Sequence, residues 1–310
     1  VWISVNIVKK IYKILRVAVV VAALAALCFE GYIKKDYEAY KQRAIPALMY
    51  HSISEVPEGW ARDLCVRPEV FEEHLRYLQE EGYHVITAPQ AMILLKSGQA
   101  VPKTVILTFD DGYDNNYTTA YPLLKKYGFA GNFYAVGKDI GQTYHQDGVR
   151  SYMTFAQLKE MRDNGMEIGS HSMSHDNLTK IAPHFLPWEI YQPLNLFYEQ
   201  MGFWLSGIAF PNGAYNELVL AEIRKYHKYE YGFSGEPGAN TEKIARETPF
   251  ALRRIGVYDR GRGRKDIKNA LRRSYVLGYL AEKRVPVAEI EEVRGHIQDK
   301  FHALFSGKTK

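Results

Sequence analysis

The stretch Thr104-Val105-Ile106-Leu107-Thr108-Phe109-Asp110-Asp111-Gly112 decides how the chain is read. Its first six residues are mostly apolar and partly β-branched, the pattern of a strand buried on both faces. The two aspartates fall where that strand should end, and Gly112 permits a sharp turn directly after them. A second run, Met166-Glu167-Ile168-Gly169-Ser170, reads as another short strand and leads into His171-Ser172-Met173-Ser174-His175. The two histidines are four positions apart, about one helical turn, so both imidazoles can face one point. One carboxylate and two imidazoles make an open site for a borderline divalent ion such as zinc, with positions left for water and substrate. The second aspartate is then free to act as a base. Either pair alone is weak, since Asp-Asp-Gly after a strand is often a solvated turn and two histidines on one helix face look the same in sequence. Their joint occurrence at the ends of buried-type strands points to a metal-dependent hydrolase.

Other strand ends are polar in the same way. Ala47-Leu48-Met49-Tyr50 ends in His51-Ser52, and Gly207-Ile208-Ala209-Phe210 ends in Pro211-Asn212-Gly213-Ala214-Tyr215. Further strands are expected at 84–87, 131–136, 231–234 and 252–258. Between them lie helical patterns. Pro68 opens one in which Val70, Phe71, His74, Leu75 and Leu78 recur at helical spacing before Gly82, and others cover about 116–127, 154–164 and 216–227. This alternation predicts an α/β fold, a distorted parallel (β/α) barrel of about seven strands. Barrels of this kind carry their active sites at the carboxyl ends of the strands, where His51, Asp110, Asp111, His171 and the Pro211 loop all fall.

Thr108 to Gly112 and His171 to His175 resemble the first two motifs of the polysaccharide deacetylases of carbohydrate esterase family 4, which hydrolyse N-acetyl groups from chitin, peptidoglycan and other N-acetylglucosamine polymers. The resemblance covers roughly residues 44–259, and Leu48-Met49-Tyr50-His51 resembles the branch that deacetylates biofilm poly-N-acetylglucosamine. It implies that Asp110 is the general base and that Asp111, His171 and His175 bind the metal, most simply zinc, with nickel or cobalt as alternatives. An amide carbonyl is a poor electrophile, so such a metal must polarise it and lower the pKa of a water that Asp110 deprotonates. The third motif corresponds to Phe210 to Tyr215, which makes Asn212 the candidate oxyanion donor through its backbone N–H. Pro211 and Tyr215 become candidate substrate contacts, as does Tyr113 directly after the aspartates.

Two departures from the family pattern stand out. Ala209 and Phe210 precede Pro211 where many members carry an arginine that orients the catalytic aspartate. The late Leu-x-His, whose histidine protonates the leaving amine, is also missing, because the last strand reads Leu252-Arg253-Arg254-Ile255-Gly256-Val257. His51, an imidazole at a strand end, is the replacement acid to consider. His184 reads as a loop residue.

Composition bounds the remainder. The 23 tyrosines and four tryptophans suit a carbohydrate groove, where flat amphipathic rings face sugars, and Trp60, Trp188 and Trp204 join Tyr113 as rings to locate. Cys65 is the only thiol beyond the N-terminal segment, so the body of the chain holds neither an internal disulfide nor a cysteine-ligated zinc. No motif supports nucleic-acid binding, and the net charge of +5 is compatible with attraction to anionic polymers or headgroups.

Residues 1–40 read as a basic-flanked membrane anchor or signal segment. Val17 to Phe29 is an unbroken apolar run behind Lys9, Lys10, Lys13 and Arg16. The expectation is a single-pass anchor at the cell membrane with the enzyme outside, through which the membrane is a partner. Cleavage near Ala23-Leu24-Ala25, giving a secreted enzyme, and lipidation of Cys28 are the alternatives. Residues 41–262 form the expected catalytic domain and 263–310 a basic helical tail. Three functions stay open: an N-deacetylase of an extracellular N-acetylglucosamine polymer, a catalytically silent carbohydrate-binding relative, and a two-carboxylate glycosidase, for which adjacent aspartates are badly placed.

Overall fold

The structure is a computed structural model that describes residues 32–56, 60, 62–145 and 148–284. The chain divides into two compact units, 1–42 and 43–310. In the first, the described residues are helical. The second holds the sheet and the strand-end residues.

Among the described residues, the second unit holds eleven strands: β1 (Ile45–Tyr50), β2 (His84–Ile86), β3 (Thr104–Phe109), β4 (Asn132–Ala135), β5 (Thr143–Tyr144), β6 (Arg150–Ser151), β7 (Glu167–Ser170), β8 (Gly207–Ala209), β9 (Tyr231–Phe233), β10 (Ala239–Asn240) and β11 (Ile255–Gly256). The main sheet runs β10-β1-β3-β4-β7-β8-β9, with β2 on β3 and β11 on β1. All pairings in it are parallel except β1 with β10. Leu252 bridges to Phe233 of β9, and three residues later β11 pairs with Leu48 and Met49 of β1. The segment 252–256 therefore reaches from one edge of the sheet to the other and curls it into the expected distorted (β/α) barrel. The strand expected over 252–258 is broken in two because it crosses between these neighbours.

Alternation along the strands divides the apolar side chains into two layers, as parallel strands covered on both faces require. Val105, Leu107 and Phe109 of β3 face outward and pack with Phe71, Leu75 and Leu78 of α1 (Pro68–Glu80). Ile106 belongs to a second cluster with Ala47, Tyr134, Ala209, Tyr231 and Phe233. Two glycines make room for its tyrosines: a Cβ on Gly169 would stand 2.3 Å from the Tyr134 ring, and one on Gly207 would stand 2.1 Å from Tyr231 Cζ. The Tyr134 hydroxyl donates to the Tyr231 hydroxyl at 3.2 Å, which in turn donates to Glu167 at 3.3 Å, so the buried polar ends are satisfied.

Helices α2 (Ala88–Lys96), α3 (Tyr121–Tyr127), α4 (Phe155–Asp163), α5 (Gln192–Met201), α6 (Glu217–Tyr226) and α7 (Arg264–Glu282) follow in chain order. The α2 start is a capping box in which Thr87 and Gln90 satisfy each other's backbone N–H groups. Helix α7 buries Ile267, Leu271, Tyr275 and Leu277, and the chain just before it accepts a hydrogen bond from buried His74 at the Gly263 carbonyl.

The single-pass localisation expected from the N-terminus requires correction. No helix among the described residues is long and apolar enough to cross a membrane. The apolar run itself, with Cys28 and the proposed cleavage point, lies outside the described residues, and we assign no location to the chain.

Candidate active site

Backbone ladders fix the chain ends that carry the polar residues. The Asp110 N–H donates to the Tyr50 carbonyl at 3.0 Å, and the His171 N–H donates to the Ala135 carbonyl at 2.9 Å, so both residues sit one step beyond their strands. The turns that follow are strained. Of the seven non-glycine residues with left-handed φ among the described residues, four are Asp111, Ser172, His175 and Asn212. Such conformations cost roughly 1–3 kcal/mol each and gather where geometry serves function. Gly112 is also left-handed, at φ +81°, and a Cβ there would lie 3.0 Å from that of Ala135. A side chain at 112 would push the aspartate turn off β4.

These turns surround a cleft of about 780 Å³ whose lining includes His51, Asp110, Asp111, Tyr113, His171, His175, Asn212 and Arg254. The ligand atoms of Asp111, His171 and His175 lie within 4.8 Å of one another. Asp111 Oδ1 is 3.4 Å from His171 Nε2 and 3.3 Å from His175 Nε2. Donors about 2.0–2.2 Å from a tetrahedral zinc stand about 3.3–3.6 Å apart, so these separations fit a common ion. His171 Nδ1 donates to the Ala209 carbonyl at 2.8 Å, which leaves the Nε2 lone pair facing Asp111. Asp111 Oδ1 is buried without a hydrogen bond. Two electron-rich atoms aimed at each other in a buried place call for a cation between them, and the donor set suits zinc, nickel or cobalt.

Asp110 has a different partner. Arg254 Nη1 donates to its Oδ1 at 2.7 Å, and both side chains are almost fully buried. Arg254 also reaches Thr108 Oγ1 and the Ser234 carbonyl, both at 3.4 Å, which ties it to β3 and to the residue that follows β9. Burial alone would raise the pKa of Asp110, but Arg254, then His171 and His51, outweigh it and hold the carboxylate below its ordinary value. Without a cation in the site, the same two imidazoles fill its place when protonated and hold Asp111 well below the ordinary range against its own burial. Asp111 in turn raises His175. An arginine thus holds Asp110 after all, reaching it from the segment leading into β11 and not from the third motif. Its only trace in the sequence is a basic side chain inside an otherwise strand-like run.

The remaining candidates separate into two groups. His51, Tyr113 and Asn212 line the cleft. Asn212 adopts φ +57°. The N–H groups of Gly213 and Ala214 bond the carbonyls of Phe210 and Pro211, whereas no hydrogen bond among the described residues engages the Asn212 N–H. Pro211 and Tyr215 stand outside the cleft lining: Pro211 is buried, and Tyr215 stacks on Phe210 while its hydroxyl donates to Glu236 at 2.6 Å. Trp60 packs 4.7 Å from Tyr113, and Tyr113 tilts against Tyr152, which also lines the cleft. Trp188 and Trp204 are elsewhere, as is His184, whose ring tilts against Phe185.

Comparison with known proteins agrees with this geometry. The polysaccharide deacetylase family profile matches residues 97–231. The Bacillus subtilis (strain 168) protein YxkH, which its name places among polysaccharide deacetylases, is 35% identical over 218 residues, covering 70% of this chain and 72% of YxkH. The chain belongs to the polysaccharide deacetylase family. This deacetylase is also 26% identical to the poly-β-1,6-N-acetyl-D-glucosamine N-deacetylase of Staphylococcus aureus (strain MRSA252), over 65% of its own length and 76% of the relative's. Among solved structures, the Streptococcus pyogenes deacetylase PplD, in complex with acetate, superposes with a TM-score of 0.63 at 26% identity, covering 73% of this chain and 97% of that one. The likeness in fold thus extends over most of the chain.

Proposed function

We propose that the chain is a metal-dependent N-deacetylase acting on an N-acetylglucosamine-containing polysaccharide, with the β-1,6-linked polymer named in its Staphylococcus aureus relative as the first substrate to test. The observation that carries this reading is the juxtaposition of the Asp111, His171 and His175 donors with an Asp110 held by Arg254. Asp111, His171 and His175 would hold the metal, most simply zinc. When bound, a divalent ion supplies Lewis-acid polarisation of the acetamide carbonyl and acidifies a water.

The chain's own residues do the rest. Asp110 receives the proton of the attacking water, and Arg254 keeps that carboxylate ionised and aimed. The Asn212 N–H is free to donate to the oxyanion as it forms. His51 lies close enough to both aspartates to lower their pKa values and serves as the acid that protonates the leaving amine. Tyr113, backed by Trp60 and Tyr152, offers a ring to the sugar. Pro211 and Tyr215 act indirectly, by shaping the loop that presents Asn212.

Acetate release from β-1,6- and β-1,4-linked N-acetylglucosamine oligomers, measured after chelation and again after adding zinc, nickel or cobalt, tests the reading. Release restored by metal on one linkage supports it and selects the substrate. Metal binding with no release on either, nor on peptidoglycan, would favour a silent carbohydrate-binding protein instead.

A further inference from the structure

We infer that Glu189 positions His175 and thereby sets the affinity of the site for a divalent metal, an inference that rests on the metal-site reading above. The two imidazoles of the cluster are held in different ways. The His171 side chain is 3% exposed and its ring is fixed directly by the hydrogen bond from Nδ1 to Ala209. The His175 side chain is 38% exposed, and among the described residues no hydrogen bond engages its Nδ1. Its position is therefore set by the backbone that carries it.

That backbone is unfavourable on its own. Ser172 has φ +63° and His175 φ +66°, conformations that last only where the surroundings over-determine them. Glu189 provides the constraint. It belongs to the short helix Leu186–Ile190 and is 2% exposed. Its Oε2 accepts the N–H groups of Met173 at 3.1 Å and Ser174 at 3.0 Å, and its Oε1 accepts the Ser174 hydroxyl. The Glu189 backbone carbonyl accepts the Met173 N–H as well, at 3.1 Å. Consecutive N–H groups converging on one carboxylate form an anion-binding concavity. Ser172 Oγ completes the turn by accepting the His175 N–H at 3.0 Å.

No lysine or arginine among the described residues pairs with Glu189, so the donors that offset its burial come from the loop between the two histidines. Its carboxylate is committed to that loop. Glu189 is thus a positioning residue. Glu189→Gln keeps the shape but turns an amide N–H₂ toward donors or gives up one acceptor, which lets the turn relax and moves His175.

Titrating the metal-free whole chain with Co²⁺ and Zn²⁺ tests this, with affinity and the visible absorption of bound Co²⁺ as readouts. Support around metal ligands is commonly worth 10–100-fold in affinity, and a weakening of that order with an altered Co²⁺ spectrum is expected for Glu189→Gln. A purely structural Glu189 would lower the melting temperature of the metal-free protein and leave the affinity of the folded protein unchanged, which would overturn the inference. Ser174→Ala removes one of the carboxylate's partners and should weaken binding several-fold. Should Glu189→Gln fail to fold, Ser174→Ala decides alone, and wild-type affinity in it overturns the inference. Absence of one-to-one binding in the wild type would remove the metal-site reading itself, an outcome distinct from tight wild-type binding that survives both substitutions.

Discussion

Arg254 Nη1 lies 2.7 Å from Asp110 Oδ1, and the two side chains are only 2% and 3% exposed. A buried pair of this kind costs desolvation on both sides, and removing one partner leaves the other charge uncompensated. Its presence at the mouth of the barrel is better explained by what it does for Asp110 than by stability.

Arg254→Met should accordingly lower acetate release by on the order of 10² and leave the metal donors in place. Metal content by mass spectrometry, with kcat on the same preparation, checks this. Wild-type turnover in the variant would mean that Asp110 needs no orienting partner.

The assignment of the oxyanion contact to a backbone N–H makes Asn212 replaceable. Asn212→Gly keeps the N–H and suits φ +57°, so kcat should stay within about threefold of wild type, whereas loss of a true oxyanion donor costs about 10²–10³. A loss of that size in Asn212→Gly would transfer the role to the side chain. Asn212→Val, β-branched in the left-handed region, should instead destabilise by about 1–2 kcal/mol, read from urea melts.

Most of the site was legible because strand ends announce themselves. Buried parallel strands are apolar on both faces, so Asp110, Asp111 and His51 stand out directly after β3 and β1, whereas His171 follows the mixed run Glu167–Ser170 and stands out through His175 four positions on. Arg254 did not stand out. It follows Arg253 and reaches Asp110 from 144 positions away, and nothing local distinguishes the arginine that enters the barrel from the one that salt-bridges Glu236 outside. Glu189 gave no signal either, since it sits in a proline-punctuated stretch between Pro187 and Pro193 where periodicity is lost. Helix α2 was missed although Thr87 and Gln90 formed a capping signature. Its Ala-Met-Ile-Leu-Leu run shows no clear apolar face, and Ile93 in it is 69% exposed.

Acid should loosen the barrel wall at His74. That imidazole is fully buried, with the Tyr50 hydroxyl donating to Nδ1 and Nε2 donating to the Gly263 carbonyl, both at 3.2 Å, the pattern of a neutral ring. Burial lowers its pKa from 6.5 to about 4. The folded state therefore binds fewer protons than the unfolded one between these values. Stability is fully present above pH 6.5 and falls as pH drops toward 4, by up to about 3 kcal/mol in total. Urea melts at pH 7, 6 and 5 should follow this slope. His74→Leu, less stable at pH 7, should show a shallower one, and an unchanged slope would remove His74 as the cause.

Gly207→Ala should destabilise the fold by about 1–3 kcal/mol, because the added methyl meets the Tyr231 ring end at 2.1 Å in a packed interior. Tyr231→Phe in the same chain should give little relief, since Cζ stays where it is. A denaturation midpoint equal to wild type in Gly207→Ala would mean that the barrel interior is loose enough to take the added methyl.

The division of labour between the adjacent aspartates and the histidines is the central claim, and one side-by-side measurement tests it: bound zinc and acetate release in Asp110→Asn and His171→Ala, each purified and loaded in the same way. The account predicts that Asp110→Asn keeps its metal while turnover falls by on the order of 10² or more, and that His171→Ala loses the metal and with it the activity. Loss of metal in Asp110→Asn, or full metal occupancy in His171→Ala, would contradict it.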